Sequence, residues 1–90
     1  MVKPVRLTAY AKAKLTFLRE HGFHLEEEAV HQTVLEPDHV SRVQMGRWVA
    51  QRRLSERHLL RVIYEDTPHE RVVITFYPAR RSRYEPTHEL

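Results

Sequence analysis

The sequence predicts a single α+β domain of element order β-α-α-β-β-β-β, with two N-terminal helices packed on a twisted, mostly antiparallel sheet. Three observations predict it. Apolar residues recur at helical spacing in the first part of the chain and switch to period two from Val40 onward. Four strand-like runs are separated only by short, turn-like pieces, Met45-Gly46, "SERH" and "TPHE". Ninety residues, 41% hydrophobic and 30% charged, suffice for one modest core and no second. The expected core spans residues 6–85, with a flexible polar tail over residues 86–90.

In order along the chain, Pro4 cannot donate to a ladder, so "PVRLT" suits an edge or the first residue of a strand. Thr8 is the expected cap of a first helix whose Ala11, Leu15 and Leu18 fall on one side. Gly22 ends it as a left-handed residue. A second helix opens on Glu26, Glu27 and Glu28, where the helix dipole favours negative charge. Leu25, Ala29 and Thr33, with Val30 and Val34, form its apolar stripe, and Pro37 closes it. The short link between the two predicts an antiparallel helical hairpin. The runs "HVSRVQ", "RWVAQRRL", "LLRVIYED" and "RVVITFYP" then read as a meander ending at Pro78. In the last, Val72, Ile74 and Phe76 are expected on one face and Val73, Thr75 and Tyr77 on the other, so it should be central and covered on at least one side. The basic groups are expected on the uncovered sheet face and its end.

Composition narrows the function classes. The chain has no cysteine, hence neither disulfide framework nor thiolate zinc site, which fits a reducing cytoplasm. No apolar stretch approaches a spanning helix, and "MVKPVRLT" lacks a signal-peptide centre, so no membrane role is expected. The net charge of +3 is unevenly spread. Residues 1–38 carry five basic and six acidic side chains, whereas residues 39–84 carry ten arginines against Glu56, Glu65, Asp66 and Glu70. Arginine offers a planar fork that holds phosphate with two bonds. Codon habit accounts equally well for arginine over lysine, but not for its crowding into one half.

The densest cluster is Arg80, Arg81, Arg83 and Tyr84. Such cations repel one another unless an anion joins them, and they supply phosphate affinity without sequence preference. Arg42, Arg47, Arg52, Arg53, Arg57 and Arg61 widen the patch, but alternation sends Gln51 and Arg53 to one face and Ala50 and Arg52 to the other. A solvated charged face, or a surface for an acidic protein, has the same composition. Metal-free RNA cleavage needs a base for the 2′-hydroxyl, cations for the phosphorane and an acid for the 5′-oxygen. Tyr84 and Tyr77 among arginines, and His58 beside Arg57 and Arg61, are the proton-transfer candidates. A packed aromatic for Tyr77 and a turn residue for His58 are the plain alternatives. His21 and His24 lack a third ligand, and His21 reads as a cation on a helix C-terminus. Trp48 suits either base stacking or the core. No metal site and no cofactor is expected, and with Gly22 and Gly46 alone there is no glycine-rich phosphate loop.

The segments "LREHGFHLEEEAV", "GRWVAQRRL", "LLRVIYE" and "RVVITFYPARRSRYE", in that order, resemble the RelE/ParE toxin superfamily. The resemblance is nearest to BrnT-like toxins and to a sister family of uncharacterised domains ending in "T-x-Y-x-A/P-x-x-x-R-Y". Tyr10-Ala11 stands where that sister family has His-Ala. The resemblance implies a RelE-like fold and a toxin of a toxin–antitoxin system that cleaves mRNA and blocks translation. Its partners would be RNA, free or on the ribosome, and a cognate antitoxin; the sequence leaves open whether the chain also forms a homodimer. The resemblance carries the site onto Arg80, Arg81, Arg83 and Tyr84, and less directly onto Arg61; joined with the residue reading above, the catalytic candidates are Arg83, Tyr84, Arg80 and His58, and the RNA-contact candidates are Arg81, Arg61, Arg53, Arg52, Arg47 and Tyr77. A non-catalytic module binding nucleic acid or an acidic protein, and a gyrase inhibitor, remain the alternatives. An exposed edge over Val40–Gln44 is a further expected partner site.

Overall fold

The computed structural model describes residues 3–85; the tail expected over 86–90 lies outside them. The described residues are α+β, a five-stranded mixed sheet with three helices. In order these are β1 (Val5–Leu7), α1 (Ala9–Glu20), α2 (Glu27–Leu35), β2 (His39–Val43), β3 (Arg47–Arg53), β4 (His58–Asp66), β5 (Arg71–Arg80) and α3 (Arg81–Tyr84). The sheet order is β1-β5-β4-β3-β2, with only β1–β5 parallel. None of the described helices is long and apolar enough to cross a membrane.

The caps form as their residues dictate. Thr8 Oγ1 accepts the Ala11 N–H at 3.1 Å. At the other end of α1, Phe23 N–H reaches Leu18 O at 2.8 Å and Gly22 N–H reaches Arg19 O at 3.1 Å. This paired closure needs a left-handed residue between, and Gly22 supplies it at φ 87°. Each helix lies chiefly on the sheet rather than on its fellow: α1 rests against β1 and β5, α2 against β3 and β4. Leu7, Ala11, Leu15, Leu25, Val30 and Val34 meet Ala50, Leu60, Val62, Tyr64, Val73 and Phe76 in one core. Trp48 packs against its margin with Arg42 over its ring, 5.2 Å from the centroid. Thr33, fully buried, satisfies its hydroxyl on Ala29 O at 2.8 Å.

Three expectations need correction in the last strand or directly after it. β5 does not stop at Pro78 but runs on to Arg80. β1 pairs only with Arg71–Val73, so at Pro78 no strand on that side requires the missing N–H. Second, the alternation expected across β5 is broken. Ile63 pairs with Thr75 and Tyr64 with Val73, leaving Ile74 as an extra residue, a bulge. Val73 and Phe76 therefore share the helix-bearing face, and Val72 faces away. Third, the chain after β5 turns into the short helix α3.

The arginines are also split more evenly than expected. Register puts Arg42, Arg52, Arg71 and Arg80 on the helix-bearing face, and Arg47, Arg53 and Arg61 on the other, here called the open face.

Candidate nucleic-acid interface

The site is built on one rung of the sheet. His39, Gln51, Arg61 and Tyr77 are successive cross-strand partners over β2, β3, β4 and β5, so all four point to the open face. Arg61 is fixed from both sides. Its NH1 donates to Gln51 Oε1 at 2.6 Å, and its Nε donates to Tyr77 OH at 2.8 Å. Gln51 is only 7% exposed, which holds the amide in place.

The helix α3 closes over this rung. Arg81 N–H donates to Arg57 O at 2.8 Å, tying the helix start to the β3–β4 turn. The following turn brings the Tyr84 ring onto Arg61, with the guanidinium carbon 4.1 Å from the ring centroid. A cation over an aromatic face at this range is attracted by the ring's quadrupole.

One comparison separates Arg61 from its neighbours. Arg47 pairs with Glu65 at 3.4 Å, Arg52 with Glu36 at 3.4 Å, Arg71 with Asp66 at 3.7 Å and Arg81 with Glu85 at 2.7 Å. Among the described residues, Arg61 is the half-buried arginine that has no carboxylate. A partly desolvated cation without a counter-ion carries a solvation cost that an incoming anion relieves.

The tyrosines respond to this arrangement in opposite directions. The Tyr84 phenol is lowered from the ordinary 10.0, first by the neighbouring Tyr77 hydroxyl and then by the Arg61 and Arg83 charges. The Tyr77 phenol is raised, first by burial and then by Tyr84. Tyr77 already accepts from Arg61, so its own proton is available to the Tyr84 oxygen.

Beside the rung lies an open cleft of about 610 Å³, lined by Asp38, His39, Gln51, Arg53, Arg81, Tyr84 and Glu85. A second hollow is lined by Tyr77, Arg80, Arg83 and Tyr84 among others.

The structure therefore joins some of the expected site residues and parts others. Arg61, Tyr77, Tyr84, Arg53 and Arg81 surround one surface, with Arg83 at its rim, whereas Arg80, expected in the site, is turned to the helix-bearing face. His58 pairs with Arg80 on the helix-bearing face, opposite Tyr84. Arg52 shares that face and donates to Glu36 O at 2.6 Å. Arg47 is on the open face but four residues along β3 from Gln51, about 13 Å away. His39 and Gln51, which sequence reasoning did not select, stand within the rung. Their only advance signal is the even spacing of Gln51 and Arg53, because partnership across strands depends on register. His21 sits at the C-terminus of α1 with its ring on Phe17 and Nδ1 2.8 Å from Phe17 O. Among the described residues, no three His, Cys, Asp or Glu side chains gather as a metal site would require.

Comparison with known proteins finds no matching family, no matching curated protein and no matching solved structure.

Proposed function

We propose that the open face binds single-stranded RNA and cleaves it without a metal ion, as an mRNA endoribonuclease of the RelE-like toxin kind, acting in the cytoplasm and held in check by a partner antitoxin. The observation that carries this reading is Arg61: half-buried, fixed by Gln51 and Tyr77, stacked under Tyr84, and without a carboxylate among the described residues.

The chemistry follows from the placement. With a scissile phosphate against Arg61, the Tyr84 phenolate removes the proton of the 2′-hydroxyl. The 2′-oxygen attacks phosphorus, and Arg61 takes up the charge that grows on the phosphorane oxygens. The bond to the 5′-oxygen breaks as that oxygen gains a proton. His39 in the cleft serves that step better than His58, which lies on the opposite face. The products are a 2′,3′-cyclic phosphate and a 5′-hydroxyl. Arg83 guides the flanking backbone.

The test is incubation of the purified protein with a labelled RNA in the presence of a chelator, with identification of the product ends. In parallel, expression is induced in a bacterial host, growth is followed and new mRNA 5′ ends are mapped. Cyclic-phosphate ends and growth arrest with mRNA cuts support the reading. RNA binding without any cut leaves a non-catalytic binding module. Arrest with DNA damage and intact mRNA points to a gyrase-directed toxin.

A further inference from the structure

The three clustered arginines after Pro78 raise the question of their counter-ion, and part of the answer lies in the next residue but one. Arg81 does not meet an external anion in the free protein; it meets Glu85. Arg81 Nε donates to Glu85 Oε1 at 2.7 Å. Arg53, reaching across from β3, donates through Nε to Oε2 at 2.9 Å and through NH2 to Oε1 at 3.4 Å. Arg81 NH1 is anchored on Glu56 O at 2.6 Å. One arginine thus forks both carboxylate oxygens while a second, held by backbone, closes on one of them. This is the donor arrangement that grips an oxyanion.

The position of this clamp matters as much as its geometry. Gln51 is the cross-strand partner of Arg61, so Arg53, two residues further along β3 on the same face, lies one strand spacing and one two-residue step from Arg61, about 8 Å between backbones. Two long arginine side chains so separated can reach successive phosphates of an extended single strand. Both clamp arginines line the cleft beside Tyr84.

We propose that Arg53 and Arg81 form a second phosphate subsite, for the nucleotide adjoining the one at Arg61, and that the Glu85 carboxylate fills it until RNA displaces it. The proposal rests on the reading of the open face as RNA-binding for the source of the phosphate; the anion site itself stands on the clamp geometry. Exchange of carboxylate for phosphate leaves neither guanidinium unpaired, and Glu85 moves into water. Because Glu85 is presented from the same short helix, it competes as an intramolecular ligand at high effective concentration. Free protein is therefore self-blocked at this subsite, and Glu85 weakens binding rather than aiding it.

Two probes test this. Inorganic phosphate is titrated while the Arg53 and Arg81 Nε–H resonances are followed by NMR. A short 2′-O-methyl oligouridylate, which cannot be cut, is titrated for affinity at several salt concentrations. In Glu85→Gln, phosphate is expected to shift both resonances, whereas the wild type responds weakly. The same variant is expected to bind the oligonucleotide about fivefold tighter at each salt concentration, because no carboxylate has to be displaced first. Arg53→Gln keeps the Arg81–Glu85 pair that holds α3, so it tests the site without loosening the helix; it is expected to weaken oligonucleotide binding. Unmoved resonances in Glu85→Gln, or affinity equal to or below wild type in that variant, would overturn the subsite and make Glu85 a structural clasp. A phosphate response with no oligonucleotide binding by any variant would overturn the assignment to RNA while leaving the clamp as an anion site. Loss of cleavage alone, with both titrations as expected, would refute the nuclease reading and not this one.

Discussion

The Arg61 guanidinium lies 4.1 Å from the centre of the Tyr84 ring while its edge is bonded to Gln51 and Tyr77. The ring positions the cation and the cation acts on the ring's hydroxyl, so the two residues have separable roles. Arg61→Lys keeps the charge but loses the fork and the flat stack. It is expected to weaken RNA binding about tenfold with folding unchanged. Tyr84→Phe keeps the stack and loses the proton acceptor. It is expected to bind RNA within about twofold of wild type and to cleave 10²- to 10⁴-fold more slowly, roughly the share of general acid–base catalysis. Binding and single-turnover cleavage measured side by side decide the matter: a Tyr84→Phe protein that cuts at the wild-type rate removes the phenol from the mechanism.

The Tyr84 phenol titrates below 10.0, chiefly because of Tyr77. Tyr77→Phe removes the leading cause and leaves the Arg61 and Arg83 charges. The Tyr84 midpoint is then expected to rise toward its ordinary value, as read by phenolate absorbance. If the phenolate is the base, the rising limb of the cleavage profile must move to higher pH with it. A shifted absorbance midpoint with an unshifted rate profile would separate the titration from the chemistry.

Much of the scaffold was legible because it is written in local periodicity. The Thr8 cap, the Gly22 stop and the stripe of Leu25, Val30, Thr33 and Val34 each depend on neighbours within a few residues. The separation of Gln51 and Arg53 from Ala50 and Arg52 likewise follows from strand alternation alone. The site was less legible because it depends on register. Nothing local in "PDHVS" distinguishes His39 from the other histidines, and only its pairing with Gln51 brings it to the rung. The bulge at Ile74 inverts part of β5, and no alternation rule signals it. Nothing local marks Glu85, the last residue before the polar tail, yet it neutralises Arg53 and Arg81. A charge tally sees the excess of arginine in this half but not which arginines are already paired.

The edge strand β1 depends on two ion pairs, and this gives a pH dependence. Lys3 Nζ contacts Asp66 at 2.7 Å, and Arg6 contacts Glu70 at 3.0 Å. Hydrogen bonds from Lys3 and Arg6 hold the two carboxyls below their ordinary values of 3.8 and 4.5. A carboxyl lowered in the folded state binds fewer protons there than in the unfolded state. Its contribution is therefore complete above the ordinary value and is lost as pH falls through the lowered one. Stability is expected to be flat from neutral pH down to about pH 5 and then to decline, with amide exchange of β1 rising first. Asp66→Asn should flatten part of that decline. An acid profile identical in Asp66→Asn and wild type would show that other carboxyls set it.

The β2–β3 hairpin, which carries His39 to the rung, turns through two left-handed residues, Met45 at φ 66° and Gly46 at φ 71°. Gly46 adopts this freely. Met45 is 83% exposed, so the apolar side chain recovers little of the backbone strain through packing. A left-handed L-residue costs about 1–2 kcal/mol, while glycine adds about 0.5–1 kcal/mol of unfolded-state entropy. Met45→Gly is therefore expected to stabilise the domain by about 0.5 kcal/mol, a rise in Tm of about 2–4 °C for a chain of this size. Met45→Ile, β-branched at the same φ, should destabilise it by about 1 kcal/mol or more. Neither change touches the rung, so RNA binding at a temperature where both variants are folded should match wild type. Thermal denaturation of the pair measures the strain directly, because the two substitutions act on one backbone angle with opposite sign. A Met45→Gly protein that melts below wild type would mean that the methionine makes a contact outweighing its strain.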